Sequence, residues 1–202
     1  MKSEKTIKAW LFTPFKFIAG TKSLLIGVFV LALLSVLGHL SDTHFDGALD
    51  IHYGCPDFPS PYINHALYQL IGWGTLTIVL YVTGRIVTKS SVRIIDVAGT
   101  VAMARIPLIF AALLGFIPSF HLCFGDIDVV NLTEITAVLM ENILMIIGIA
   151  LLIVVIAVWN IVLMYNAYSV STNAKGVVGG LTFALGLLIA EIISKVLLFI
   201  IL

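Results

Sequence analysis

The chain has 202 residues, of which 60% are hydrophobic and 11% charged, with 11 basic and 11 acidic side chains and a mean hydropathy of +1.14. Soluble domains carry about 25% charged residues, so a water-soluble globule is excluded: too few polar side chains exist to cover this much apolar chain. No basic run, phosphate-cradling G-x-x-x-x-G-K-[ST] loop, G-x-S-x-G elbow or H-E-x-x-H helix occurs, so neither a nucleic-acid partner nor an enzyme is expected.

The first element is TIKAWLFTPFKFIAGTK, residues 6–22. Ile7, Trp10, Leu11, Phe15 and Ile18 recur at helical spacing with lysines between them, and Thr13-Pro14 reads as an N-cap followed by proline at the first helical position. A basic, aromatic-rich amphipathic stretch of this kind lies flat among lipid headgroups. A docking helix for a cytosolic partner is the alternative.

Five apolar stretches follow, at about 23–40, 64–87, 98–119, 141–165 and 176–202, each near or above the ~18 residues that a bilayer-spanning helix needs. They are too long and continuous for barrel strands, and helices satisfy every backbone polar group within themselves. The first span is expected to be retained, because its apolar core exceeds a secretory h-region and no small-x-small cleavage site follows it. The expectation is an all-α polytopic membrane protein: one domain over 1–202, a bundle of five transmembrane helices with an interfacial N-terminal helix, its first partner the lipid bilayer.

Charge orients the bundle. Lys2, Lys5, Lys8, Lys16 and Lys22 precede the first span; Arg85, Lys89 and Arg93 flank the second connection, and Lys175 sits in the fourth. The connections 41–63 and 120–140 hold no lysine or arginine and carry Asp42, Asp46, Asp50, Asp57, Asp126, Asp128 and Glu134 instead. The positive-inside rule places the N-terminus in the cytoplasm and the C-terminus outside.

The outer loop SDTHFDGALDIHYGCPDFP, residues 41–59, gathers metal-friendly side chains. Asp42, His44, Asp46, Asp50 and His52 fall on even positions, and Phe45, Leu49, Ile51 and Tyr53 on odd ones. An extended segment would turn the acids and histidines to one side and the apolar residues to the bundle. His44 and His52, completed by Asp46 or Asp50, suit zinc or another divalent first-row metal, and His39 and His65 sit at the flanking helix ends. Two readings compete with this one. Asp46-Gly47 is a hairpin turn signal that would separate His44 from Asp50, and acidic outer loops are commonly just solvated. Cys55 and Cys123, the only cysteines, lie one in each outer loop, where an oxidising compartment would join them; alternatively Cys55 is a metal ligand and Cys123 is buried.

Three charges lie within spans. Arg105 and Glu191 sit near their spans' midpoints with a depth offset of about 9 Å, and Lys195 follows Glu191 at i+4, the favourable order for an ion pair. Arg105 and Glu191 at this depth are expected to face the bundle interior, either as a cluster that fixes helix packing, with Lys195 in it or snorkelling outward, or as a proton or ion relay. Gly176, Gly179, Gly180, Ala184 and Gly186 form a small-residue packing face. Asn160, Tyr165, Asn166 and Tyr168 read as interface anchors, with a lipid-headgroup site as the alternative.

The lead W-L-F-T-P-F-K-F, the proline-containing third span A-M-A-R-I-P-L-I-F-A-A-L-L and the connection W-N-I-V-L-M-Y-N-A-Y-S-V-S-T-N-A-K-G together resemble the YIP family, the Ypt/Rab-interacting membrane proteins, and specifically its short bacterial members. The eukaryotic D-L-Y-G-P signature is absent, and of the family's G-Y-x-L-x-P only Pro107 remains, so Rab binding is not carried over. The resemblance implies a five-helix protein of the bacterial inner membrane with a cytoplasmic N-terminus. The function expected is a non-enzymatic membrane organiser or scaffold with a metal-binding outer loop and a protein partner or a second copy of itself. The alternative is a transporter of ions or small solutes, divalent metal among them.

Overall fold

The computed structural model describes residues 7–55, 58–88, 90–121, 136 and 140–202. A short helix α1 (Ile7–Phe12) and a 3-10 turn (Pro14–Lys16) lead into α2 (Thr21–Leu40). Two-residue strands β1 (Thr43–His44) and β2 (His52–Tyr53) pair antiparallel, His44 opposite His52. There follow α3 (Tyr62–Val87), α4 (Ile94–Ala104), α5 (Leu108–Leu114), a 3-10 turn (Pro118–Phe120), α6 (Ile143–Thr172) and α7 (Gly176–Ile201). Five stretches are long and apolar enough to cross a membrane, with α4 and α5 together forming the third, Ile94–Leu114. The protein is an all-α polytopic membrane protein. The fourth span differs most from expectation: α6 runs on to Thr172, where Asn173 ends it in the left-handed conformation (φ 60) that asparagine tolerates.

The third span is broken where the sequence carries Pro107. Proline has no N–H to donate and its ring clashes with the preceding turn, so α4 ends at Ala104 and the 105–107 stretch closes with tighter bonds such as Leu108 N–H to the Arg105 carbonyl, 3.0 Å. This span is central: 72% of its most apolar window is buried inside the bundle, against 17% for α6, which turns its aliphatic surface outward.

Two small residues let α2 lie close against α4. A Cβ placed on Gly99 would come within 2.5 Å of Ser23 Oγ and 2.6 Å of the Leu24 backbone, and one on Gly27 within 2.4 Å of Ala102 Cβ. Close backbone approach of this kind gives dispersion contact where apolar burial gives none, since lipid is as apolar as leucine. The small-residue face expected on α7 is corrected in part. Gly179 and Gly186 are buried, but Gly176 and Ala184 are exposed, and the inward stripe is completed by Phe183, Leu187, Ala190 and Ser194.

The N-terminal segment packs on α6, with the Trp159 indole N–H donating to the Leu11 carbonyl (2.9 Å) and the Asn166 amide to that of Phe12 (2.9 Å). Thr13 does not cap: its hydroxyl donates back to Ala9, while Pro14 does open the 3-10 turn. Asn160 and Tyr168 are buried core residues rather than interface anchors, and the Tyr168 hydroxyl is 3.1 Å from that of Thr182.

Gly99→Leu should drive α2 from α4 and lower the stability of the detergent-solubilised protein by about 1–3 kcal/mol, the usual cost of overpacking. Gly148→Leu, where an added Cβ meets nothing within 4 Å, should leave the melting temperature unchanged or raise it. Equal melting temperatures for Gly99→Leu and wild type would refute the close α2–α4 crossing.

Candidate functional site

The loop joining α2 to α3 folds back into the end of the bundle. Phe45 is 1% exposed, and Leu49 and Ile51 pack against the two halves of the core, as the alternation predicted; Ala48, on an even position, is buried as well. The loop backbone is not one extended segment. Thr43–His44 and His52–Tyr53 pair, and residues 45–51 form a wide loop between them rather than a two-residue hairpin at Asp46-Gly47. The Tyr53 hydroxyl donates to the Ala111 carbonyl at 2.9 Å, and burial pushes its pKa up to about 12, so it remains a donor.

The loop tip sits on the two charges at mid-span. Arg105 is fully buried, and its Nη2 donates to the Gly47 carbonyl at 3.4 Å, while the Leu49 N–H donates to Glu191 Oε2 at 2.8 Å. No Arg105 nitrogen lies within 4.0 Å of a Glu191 oxygen. The expected direct pair is therefore corrected: the two charges grip successive parts of one loop. The grip requires glycine at position 72, where a Cβ would lie 2.4 Å from the Gly47 carbonyl; a Cβ on Gly47 would lie 2.7 Å from the Glu191 carboxylate and push it aside.

Lys195 is likewise redirected. It does not pair with Glu191 one turn away; its ammonium donates to Asp46 Oδ2 at 3.0 Å and to Asp50 Oδ2. His52 Nδ1 lies 3.2 Å from Asp46 Oδ1. Burial by itself would raise the Asp46 carboxyl, but the bonds and charges of His52 and Lys195 outweigh it and hold Asp46 well below the usual carboxylate range. The close contact with the Asp46 carboxylate raises His52 above the ordinary imidazole value against its partial burial.

Among the described residues, the side chains that could ligate a metal form two groups rather than one. Asp46, Asp50 and His52 offer ligand atoms within 4.8 Å of one another, and so do Asp42, His44 and His65. The predicted set of His44, His52, Asp46 and Asp50 is thus split, although the His44 and His52 rings stack at 5.0 Å and join the groups. His65 approaches both His44 (4.9 Å between centroids) and the exposed His39 (5.6 Å). In the first group Lys195 already supplies the positive charge that a cation would bring. In the second, no ammonium or guanidinium among the described residues pairs with Asp42. Cys55 is disulfide-bonded and so is not a thiolate ligand; Cys123, its expected partner, lies outside the described residues, as do Asp57, Asp126, Asp128 and Glu134. His121, which sequence reasoning left without a role, bridges the loop to α5, its two ring nitrogens 2.8 Å from the Gly54 carbonyl and 2.6 Å from that of Gly115.

No family model, curated protein or solved structure matches the chain.

The Asp46–His52 contact carries a pH signature. A raised imidazole pKa adds stability that is complete below the unfolded value, about 6.5, and is lost as pH rises through the folded value. The lowered Asp46 carboxyl adds stability present above about 3.9 and lost in stronger acid. The stability difference between wild type and His52→Gln, measured by thermal melts in chelator, should therefore shrink from pH 6 to pH 9. A difference constant over that range would show that His52 does not hold the loop by charge.

Proposed function

We propose that the chain is a non-enzymatic membrane organiser or scaffold of YIP type, set in a bacterial inner membrane with its N-terminus in the cytoplasm and the 41–59 loop outside, and that this loop binds divalent metal. The observation that carries the scaffold reading is the packing below the docked loop. Leu76, Leu80, Met164, Tyr168, Phe183 and Leu187 are all buried in one apolar cluster, which offers a hydrated ion no polar lining. The resemblance supplies the YIP type, and the distribution of lysine and arginine supplies the orientation. A protein partner or a second copy is the expected client of such a scaffold.

One feature favours transport as the second reading. Arg105 is buried at membrane depth, and its Nε and Nη1 have no hydrogen-bond partner among the described residues; an ionisable group placed so is a functional candidate by default.

Flux separates the two. Purified protein in liposomes should pass K+, H+ and Zn2+ no faster than empty vesicles; transport that disappears in Arg105→Gln would replace the scaffold by a transporter. Orientation is tested apart from this. Single cysteines placed at Lys175 and at Asp50 on a cysteine-free background should label from opposite sides, Lys175 from the cytoplasm. Labelling of both from one side would reject the proposed arrangement.

A further inference from the structure

Deepening the metal-binding part of that reading, on which it rests, we propose that Asp42, His44 and His65 hold one divalent first-row transition-metal ion between the 41–59 loop and the start of α3. The first observation is the geometry. One ligand atom from each of the three residues lies within 4.8 Å of the others, and His44 Nε2 is already 3.0 Å from Asp42 Oδ1. Ligands about 2.0–2.1 Å from a tetrahedral ion stand about 3.3 Å apart, so side-chain rotation alone closes the set.

The second observation is independent of that spacing. His65 is 2% exposed, and neither ring nitrogen makes a hydrogen bond of good geometry with any described residue. The second oxygen of Asp42, Oδ2, is also buried without a partner. Burying a polar atom unpaired costs about 1–3 kcal/mol, and here two such groups belong to one cluster of ligand side chains. A cation would satisfy both at once.

The surroundings keep that cluster open. Asp42 is held at φ 46, a conformation aspartate tolerates better than most residues, and Gly54 N–H donates to its carbonyl at 2.8 Å. A Cβ on Gly54 would lie 2.3 Å from Asp42 Oδ2 and 2.7 Å from His44 Nε2, filling the space an ion needs. Two imidazoles and one carboxylate select zinc or a neighbouring first-row ion over calcium or magnesium, which take oxygen ligands. Three protein ligands leave a fourth position, for water or for His39, whose ring neighbours that of His65.

The test uses full-length protein without a polyhistidine tag. After removal of metal and addition of Zn2+, one equivalent should remain bound, the melting temperature should rise, and X-ray absorption at the zinc edge should show imidazole with no sulfur. His44→Gln and His65→Gln should each weaken Zn2+ binding more than the ~10–100-fold typical of supporting residues and abolish the rise in melting temperature. The double variant Asp50→Asn with His52→Gln should keep its equivalent of zinc. No bound metal in wild type would overturn the metal-binding reading altogether. Binding that survives His65→Gln but is lost in the double variant would leave that reading standing and refute this ligand set, as would sulfur at the zinc edge. Because the zinc-edge spectrum is taken on wild type, it decides the ligand types even if a variant fails to fold.

Discussion

A guanidinium with no exposure to solvent, placed near the middle of an apolar bundle, has to be answered by acceptors or by opposite charge. Arg105 is that group, and the chain answers it by bringing a loop down to it. The Gly47 carbonyl accepts from Arg105, and Glu191 accepts from Leu49 two residues on, so the carboxylate and guanidinium share a segment of backbone without touching. Charge is compensated across the loop, and the Gly47 carbonyl and the Leu49 N–H are satisfied at a depth where water cannot serve them.

Most of the cap follows from that anchor. With Gly47 fixed against Gly72, the acids on either side of it, Asp46 and Asp50, are carried to Lys195 one turn beyond Glu191, and α7 therefore holds the loop through two side chains on one face. Phe45 and Ala48 are driven into the core, a large ring of this kind adding about 1.5–3 kcal/mol. The strands stay two residues long because the 45–51 loop between them is shaped by these contacts and not by a tight turn. His121 and Tyr53 then tie the far side of the hairpin to Gly115 and Ala111.

The spans were legible because length and continuous apolarity leave no other structure possible in lipid, and Pro107 marked the break in the third. The inward-facing Phe45, Leu49 and Ile51 were legible from alternation alone. The pairing of the loop was not. Lys195 meets Asp46 and Asp50 across about 150 positions of sequence, whereas Glu191 at i−4 offered a local partner that the backbone contact with Leu49 takes instead. Nor could spacing distinguish the buried Asn160 and Tyr168 from interface anchors, since both fall near the end of the span expected at 141–165 and only the neighbouring helix decides which side they face. On α7 small size marked glycines, but the stripe that packs is set by helical phase, which keeps Gly179 and Gly186 and turns Ala184 outward.

The division of the polar residues into two groups is a consequence of the same anchor. Six histidines and aspartates in one region would share a single field if the loop lay free, and a metal would meet competing carboxylates. Docking assigns Asp46 and Asp50 to an ammonium, which offsets their negative charge, and leaves Asp42 with two imidazoles and no cation among the described residues. The oxygen-rich group thereby lies on the side of the hairpin that Lys195 meets, while the nitrogen-rich group holds the unpaired Asp42 Oδ2 and His65 ring. The stacked rings of His44 and His52 are the seam between them. Any ion drawn to the nitrogen-rich side would clamp Asp42 and His44 of the loop to His65 of α3, at the end of the hairpin opposite the Arg105 and Glu191 contacts, so that metal and buried charge would hold the same loop from its two ends.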